Sequence, residues 1–143
     1  MFHGTFQNTI DNKNRMIVPS KIRDQLGGHC MLTKGFDECL YIYSMSDYED
    51  MAERMSKLPQ SDPEFRAFIS DFFGNSVICD FDSQGRILIP QNLREYAHIS
   101  KDLVTIGAMN KVEIWSRETR ESFDMSNRMK DSSFTDKLRE FNI

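Results

Sequence analysis

Short apolar stretches and polar turns alternate along the first part of this chain, and the pattern recurs in the second. Phe6 to Ile10 precedes the turn DNKN, and Arg15 to Val18 follows with apolar, β-branched character; Val77 to Phe81 leads into DSQG, followed by RILI. Each stretch predicts a hairpin. Asn14 in one turn and Gly85 in the other are the two residue types that most readily accept a left-handed backbone. Pro19 and Pro90 come directly after the second strand, where proline suits the first turn of a helix, and SKIRDQLG and QNLREYAH supply one or two helical turns. MLTKG with Leu40 to Tyr43, and LVTIG with Val112 to Trp115, then predict a second hairpin in each half, turning around FDE and MNK.

Between and after these units the period becomes helical. SMSDYEDMAERMSKL places Ser46 three residues before Glu49 as a capping box and puts Tyr48, Met51, Met55 and Leu58 on one face. DPEFRAFISDFFGN predicts a helix with Asp62 as N-cap, Pro63 at the first position and a stop at Gly74. Its apolar face holds Phe65, Phe68, Ile69, Phe72 and Phe73. RETRESFDMSNRM and SSFTDKLREF predict two further helices, the last with Phe134, Leu138 and Phe141 on a stripe.

The recurrence is also literal. DNKNRMIVPSKIRD, from Asp11 to Asp24, and DSQGRILIPQNLRE, from Asp82 to Glu95, stand 71 positions apart and share the Asp, the first Arg, the Pro and the second Arg. LTKGFDECLYIYS aligns with VTIGAMNKVEIWS one position further out of step, so that Thr33 meets Thr105, Gly35 meets Gly107, Ile42 meets Ile114 and Tyr43 meets Trp115. A colinear set at nearly constant offset indicates internal duplication. The expected organisation is a first unit over 5–47, connecting helices over 48–75, a second unit over 76–119 and C-terminal helices over 120–143.

Composition narrows the function classes. A chain of 143 residues with 39 % apolar content is about one globular domain with a real core, and its 28 % charged residues are spread throughout. The longest apolar runs are four or five residues, against roughly 20 for a bilayer crossing, and MFHGTFQN has no leader pattern. The expectation is therefore a protein neither secreted nor membrane-spanning. Cys30, Cys39 and Cys79 are odd in number and form no CxxC, which points to buried thiols in a reducing cytosol. His29 beside Cys30 has no second ligand pair, so packing is the better reading and neither metal nor cofactor is expected. With net charge -4 and pI near 5.4, no molecule-wide footprint for nucleic acid exists, and DNA binding needs a local patch.

The repeated Asp and Arg, four residues apart, have two readings. As a local ion pair they would simply hold a turn, which explains Asp11 and Asp82 well, since a carboxylate satisfies turn N–H groups. It explains Arg15 and Arg86 less well, because exposed ion pairs contribute little. As a binding device, each arginine presents a planar fork suited to phosphate oxygens or to guanine O6 and N7, with the aspartate setting its direction. Lys13 and Gln84 within the turns, and Lys21, Arg23, Asn92 and Arg94 on the following helices, would complete a local basic face. The candidate DNA-binding set is Arg15, Arg86, Lys13, Asp11, Asp82, Asn14, Gly85 and Gln84. No histidine has a Ser, Cys or carboxylate partner at motif spacing and no glycine-rich phosphate loop occurs, so neither an enzyme nor a small-molecule substrate is expected.

These residues resemble the MraZ family, built from two SpoVT-AbrB-like units. The family's DxxxR signature stands here as Asp11 to Arg15 and Asp82 to Arg86, each followed by an apolar triplet and then Pro19 or Pro90. MFHGTFQNTID resembles the family's first strand, and the likeness extends over essentially the whole chain. Asn14 departs from the family's usual Gly, with a small effect expected on the loop. The resemblance implies an α+β fold with a swapped-hairpin, AbrB-like β-barrel made by the two repeats, flanked by helices. It also implies a ring-shaped homo-oligomer, an octamer, acting in the cytoplasm and on the nucleoid as a transcriptional regulator, in the first instance a repressor. Its partner would be double-stranded DNA, at direct repeats in the promoter of its own division and cell-wall operon. Core packing is the better reading for most of the Phe-rich face and the C-terminal stripe, but a small barrel has limited room, so part of this apolar surface would lie between subunits, with the C-terminal helix as either that contact or a mobile arm. The rival reading is an antitoxin-like interaction module without DNA binding, disfavoured by the mixed-charge helix at the C-terminal end.

Overall fold

The computed structural model describes residues 1–123, 125–130 and 132–143. In chain order the elements are β1 (Thr5–Thr9), β2 (Arg15–Ile17), α1 (Ser20–Leu26), β3 (His29–Lys34), β4 (Leu40–Tyr43), α2 (Met45–Ser56) and α3 (Pro63–Gly74). Then follow β5 (Val77–Asp80), β6 (Arg86–Leu88), α4 (Gln91–Tyr96), β7 (Asp102–Ala108), β8 (Lys111–Ser116), α5 (Arg117–Ser122), α6 (Met125–Arg128) and α7 (Ser132–Arg139). The series strand, strand, helix, strand, strand occurs twice, and the fold is α+β.

Most of the strand pairing crosses between the repeats. β1 runs antiparallel to β7, β5 to β3, β4 to β8 and β2 to β6, while β3 and β7 also pair with their own neighbours β4 and β8. The result is a six-stranded sheet in the order β1-β7-β8-β4-β3-β5 and a separate ribbon of β2 and β6. Two expectations need correction. The first predicted hairpin of each repeat does not form a ladder: β1 and β2 share only the bridge Ile10↔Met16, and the ladder partner of β2 is β6. The expected closed barrel is not seen either, since β1 and β5 remain the outer strands of an open sheet. The second hairpins, β3–β4 and β7–β8, form as predicted.

The ribbon covers one face of the sheet. Met16, Val18, Ile87 and Ile89 pack with Ile22 of α1 and Leu93 of α4 onto Leu32, Ile42, Leu103 and Ile114, all at or near zero exposure. On the opposite face Met31, Tyr43, Val104 and Trp115 pack with Tyr48 and Met51 of α2 and Phe72 of α3. Strand alternation thus sends the ribbon's inner side chains into the main core and its outer ones to solvent.

Helix ends follow local chemistry. α3 starts as predicted, the Asp62 side chain accepting from Glu64 N at 2.8 Å with Pro63 as first residue. α2 starts earlier than predicted: Ser44, not Ser46, accepts from Asp47 N at 3.1 Å. Pro19 and Pro90 occupy the N-cap positions of α1 and α4 rather than their first turns. The helix predicted over 117–129 is two pieces, with Asp124 outside the described residues; Phe123 turns extended at the end of α5, and its ring sits 5.0 Å from that of Trp115. On α3 only Phe72 is fully buried, while Phe65, Phe68, Ile69 and Phe73 are half-covered, as are Phe134 and Leu138 on α7, and Phe141 is exposed.

All three cysteines are buried, as predicted, and burial pushes the Cys30 and Cys79 thiols up to about 12 and about 11. His29 is exposed and Cys30 buried on alternate faces of β3, so the two cannot share an ion, and His29 is not the packed residue expected. Among the described residues no helix is long and apolar enough to cross a membrane.

Candidate nucleic-acid interface

The two Asp-to-Arg turns are built alike, bond for bond. In the first, Asp11 N donates to Arg15 O at 2.8 Å and Asn14 N to Asp11 O at 3.0 Å; in the second, Asp82 N donates to Arg86 O and Gly85 N to Asp82 O, both at 3.0 Å. The carboxylate fills each turn from inside. Asp11 Oδ1 accepts from Lys13 N and Arg15 N, and Asp82 Oδ1 from Gln84 N and Arg86 N, all at 2.9 Å. The fourth turn residue is left-handed in both, with φ 64° at Asn14 and 75° at Gly85. Asparagine and glycine therefore exchange at this position as the sequence predicted.

The other carboxylate oxygen holds the arginine. Arg15 Nε donates to Asp11 Oδ2 at 3.1 Å and its Nη2 lies 3.1 Å from the same oxygen, while Arg86 Nε donates to Asp82 Oδ2 at 2.8 Å. Arg86 Nη1 also lies 3.7 Å from Asp11 Oδ2, so one carboxylate serves arginines of both repeats. The backbone N–H of Arg15 on Asp11, and that of Arg86 on Asp82, hold the two carboxyls below the ordinary aspartate range, partly opposed by desolvation and aided by each arginine's own side chain. With side-chain exposures of 28 % and 21 %, Arg15 and Arg86 are laid against the protein rather than extended into water.

The ribbon sets where the two arginines lie. Its register is Arg15↔Leu88, Met16↔Ile87 and Ile17↔Arg86, extended by Val18 N donating to Gly85 O at 3.1 Å and Ile89 N to Asn14 O at 2.9 Å. Because bonded and non-bonded pairs alternate in an antiparallel ladder, Arg15↔Leu88 and Ile17↔Arg86 are the non-bonded pairs, whose side chains stand closest. Met16 and Ile87 point into the core, and Arg15, Ile17, Arg86 and Leu88 share the outer face.

The structure brings together Arg15, Arg86, Asp11, Asp82, Asn14, Gly85 and the exposed turn residues Lys13 and Gln84. Of the helical donors it brings Arg23 with them, while Arg94 and Asn92 bond elsewhere. Arg94 donates through Nη1 to Ile89 O, Asn92 donates to Asn75 Oδ1 at 2.8 Å, and Arg23 lies over Gly85, leaving only Lys21 of that group exposed without such a role. The basic face is thus narrower than predicted, because Arg94 and Asn92 bond within the fold. Sequence reading missed Ile17 and Leu88, at 52 % and 55 % exposure; strict alternation around the buried Met16 and Ile87 was the signal that could have found them.

An internally duplicated α+β chain that displays two aspartate-clamped arginines on a shared ribbon is the class these observations define. The profile of the family described as "MraZ protein, putative antitoxin-like" matches residues 1–71 and again 72–141. The chain belongs to the MraZ family. It is 47 % identical over 127 residues, 89 % of each chain, to a protein of Clostridium tetani named "Transcriptional regulator MraZ". It is 42 % identical over 143 residues, 100 % of each chain, to the protein of that name from Caldanaerobacter subterraneus, and 49 % identical over 118 residues, 82 % of this chain and 83 % of the other, to one from Clostridium botulinum.

Two outcomes follow from the turn geometry. A Cβ at Gly85 would collide with the Arg23 guanidinium on a left-handed backbone, so Gly85→Ala is expected to cost about 1–2 kcal/mol and to displace Arg23, while Asn14→Gly is near neutral. Chemical denaturation of both variants at matched protein concentration checks this. The depressed carboxyls of Asp11 and Asp82 contribute stability that is fully present above the ordinary aspartate value of 3.8 and is lost as pH falls through their lowered values. Carboxyl-carbon NMR titration is expected to find both below that value; ordinary titration of either would show that its turn bonds do not persist in solution.

Proposed function

We propose that this chain is a DNA-binding transcriptional regulator whose duplex contacts are made by Arg15 and Arg86 on the outer face of the β2–β6 ribbon. The observation that carries this reading is the paired clamp: two arginines, one per repeat, oriented by turn-filling carboxylates and displayed on one face. Arginines already ordered lose less conformational freedom on meeting a ligand than free ones would. The carboxylates meet Nε and Nη2 of Arg15 and Nε and Nη1 of Arg86, which leaves Nη1 of Arg15 and Nη2 of Arg86 turned away from them for guanine or phosphate. Lys13 adds a phosphate contact, Asp11 and Asp82 orient the arginines, and Asn14, Gly85 and Gln84 shape the loops nearest the duplex. The names of the relatives from Clostridium tetani and Caldanaerobacter subterraneus support regulation of transcription as the setting.

The remaining features fit the same reading. The units 5–47 and 76–119, with connecting helices over 48–75 and C-terminal helices over 120–143, act as two halves of one swapped-hairpin, AbrB-like assembly, supported by strand pairings that cross between repeats. A ring-shaped homo-oligomer, an octamer, is supported by the half-covered Phe65, Phe68 and Phe73 and by exposed Phe36 and Phe141. Such a ring lets a chain of net charge -4 bind DNA, because adjacent subunits on successive direct repeats add their few contacts at high effective concentration. The regulator works in the cytoplasm on the nucleoid, repressing its own division and cell-wall operon, and needs neither cofactor nor catalysis.

Arg15→Ala and Arg86→Ala are each expected to weaken binding to upstream repeat DNA at least about tenfold, within the roughly 1–3 kcal/mol of one bidentate base contact, with assembly unchanged. Fluorescence anisotropy at fixed salt, with mass measured alongside, is the check. Unchanged affinity in both single variants and the double variant would remove the proposed role of the two arginines.

A further inference from the structure

The outer face of the ribbon holds more than its arginines. Ile17 and Leu88 are each more than half exposed on three-residue strands whose other residues are buried or clamped. An exposed aliphatic alone is unremarkable on a protein surface. These two are placed differently: each stands directly across the ladder from an arginine of the other repeat, Leu88 from Arg15 and Ile17 from Arg86. The face is a diagonal pattern of two cationic forks and two branched aliphatic tips. Any surface it docks on must offer anionic or acceptor groups and small apolar groups, interleaved at about 5 Å.

The DNA major groove is such a surface. It is about 12 Å wide and admits a two-stranded ribbon, whose strands lie about 4.8 Å apart. Its floor presents guanine O6 and N7 as acceptors and one apolar group, the 5-methyl of thymine. Neighbouring bases rise about 3.4 Å, so an arginine on a guanine places the opposite aliphatic over the same or the adjacent base pair. We infer that Ile17 and Leu88 read thymine 5-methyl groups beside the guanines engaged by Arg86 and Arg15. The inference rests on the DNA-binding reading above and adds to it a rule about sequence: the arginine of one repeat and the aliphatic of the other together take a guanine and a nearby thymine. Ile17 and Leu88 are specificity-determining residues in this role, and the core beneath them, Met16 and Ile87, fixes their direction.

Uracil is the probe, because it keeps the pairing edge and the O4 acceptor of thymine and lacks only the methyl. The full chain is titrated against its upstream repeat duplex made with thymine and with uracil at every thymine position, and against scrambled duplexes of both kinds. The same series is run with Ile17→Ala, Leu88→Ala and the double variant, with mass measured for each. The native protein is expected to bind the uracil repeats more weakly, by roughly fourfold for each methyl covered, as for burial of one methylene. The double variant is expected to bind thymine and uracil repeats equally. Repeat-selective binding by the native protein with no difference between thymine and uracil would overturn the inference and leave the DNA-binding reading standing. An undiminished uracil penalty in the double variant, or a change in its assembly with the penalty intact, would also overturn it. Absence of repeat-selective binding by the native protein would remove both.

Discussion

Three residues of antiparallel pairing, Arg15 to Ile17 against Arg86 to Leu88, hold this structure in the form its proposed function needs. They join the two repeats at their second strands, as β1–β7, β5–β3 and β4–β8 join them in the main sheet. The same pairing turns Met16 and Ile87 inward onto the main core. It also fixes the outer face, where both arginines arrive side by side although 71 positions separate them in the chain. A ribbon this short has few hydrogen bonds of its own. Its order comes from the buried aliphatics beneath it and from the aspartate-filled turns at its ends.

The turns link sequence to electrostatics. A single carboxylate in each satisfies two backbone N–H groups with one oxygen and an arginine with the other. A purely local ion pair and a binding device would therefore use the same contacts. What separates them is the duplication: one such turn stabilises a loop, whereas two whose arginines meet on one face, with Asp11 3.7 Å from Arg86 of the other repeat, make a two-point surface.

Much of this is legible in the sequence because the signals are local. The turn at Asn14 and Gly85, the Asp62 cap with Pro63, the buried cysteines and the order of elements follow from residue type and spacing. The pairing partners are not legible, since a strand of three residues carries no sign of which distant strand it will join; hairpin spacing pairs β2 with β1, whereas its ladder partner is β6. The donors on α1 and α4 look available in the sequence because composition counts charges without counting their partners, and Arg94 and Asn92 bond within the fold. Ile17 and Leu88 belong to apolar strand segments in the sequence, and their places beside Met16 and Ile87 alternate outward. Turn conformation in the candidate site is thus easier to anticipate than which neighbours share it.

The measurement that bears most directly on the central claim is a salt-dependent binding titration of the intact protein against its own upstream DNA, native repeats beside scrambled ones, with the mass of the free protein determined in parallel. The expected result is repeat-selective binding by a large oligomer, with log affinity falling linearly against log salt concentration as counterions are released from the phosphates contacted. A well-folded oligomer that binds neither duplex, or binds both alike, would contradict it, and the clamped arginines would then be structural ties in a protein-interaction module.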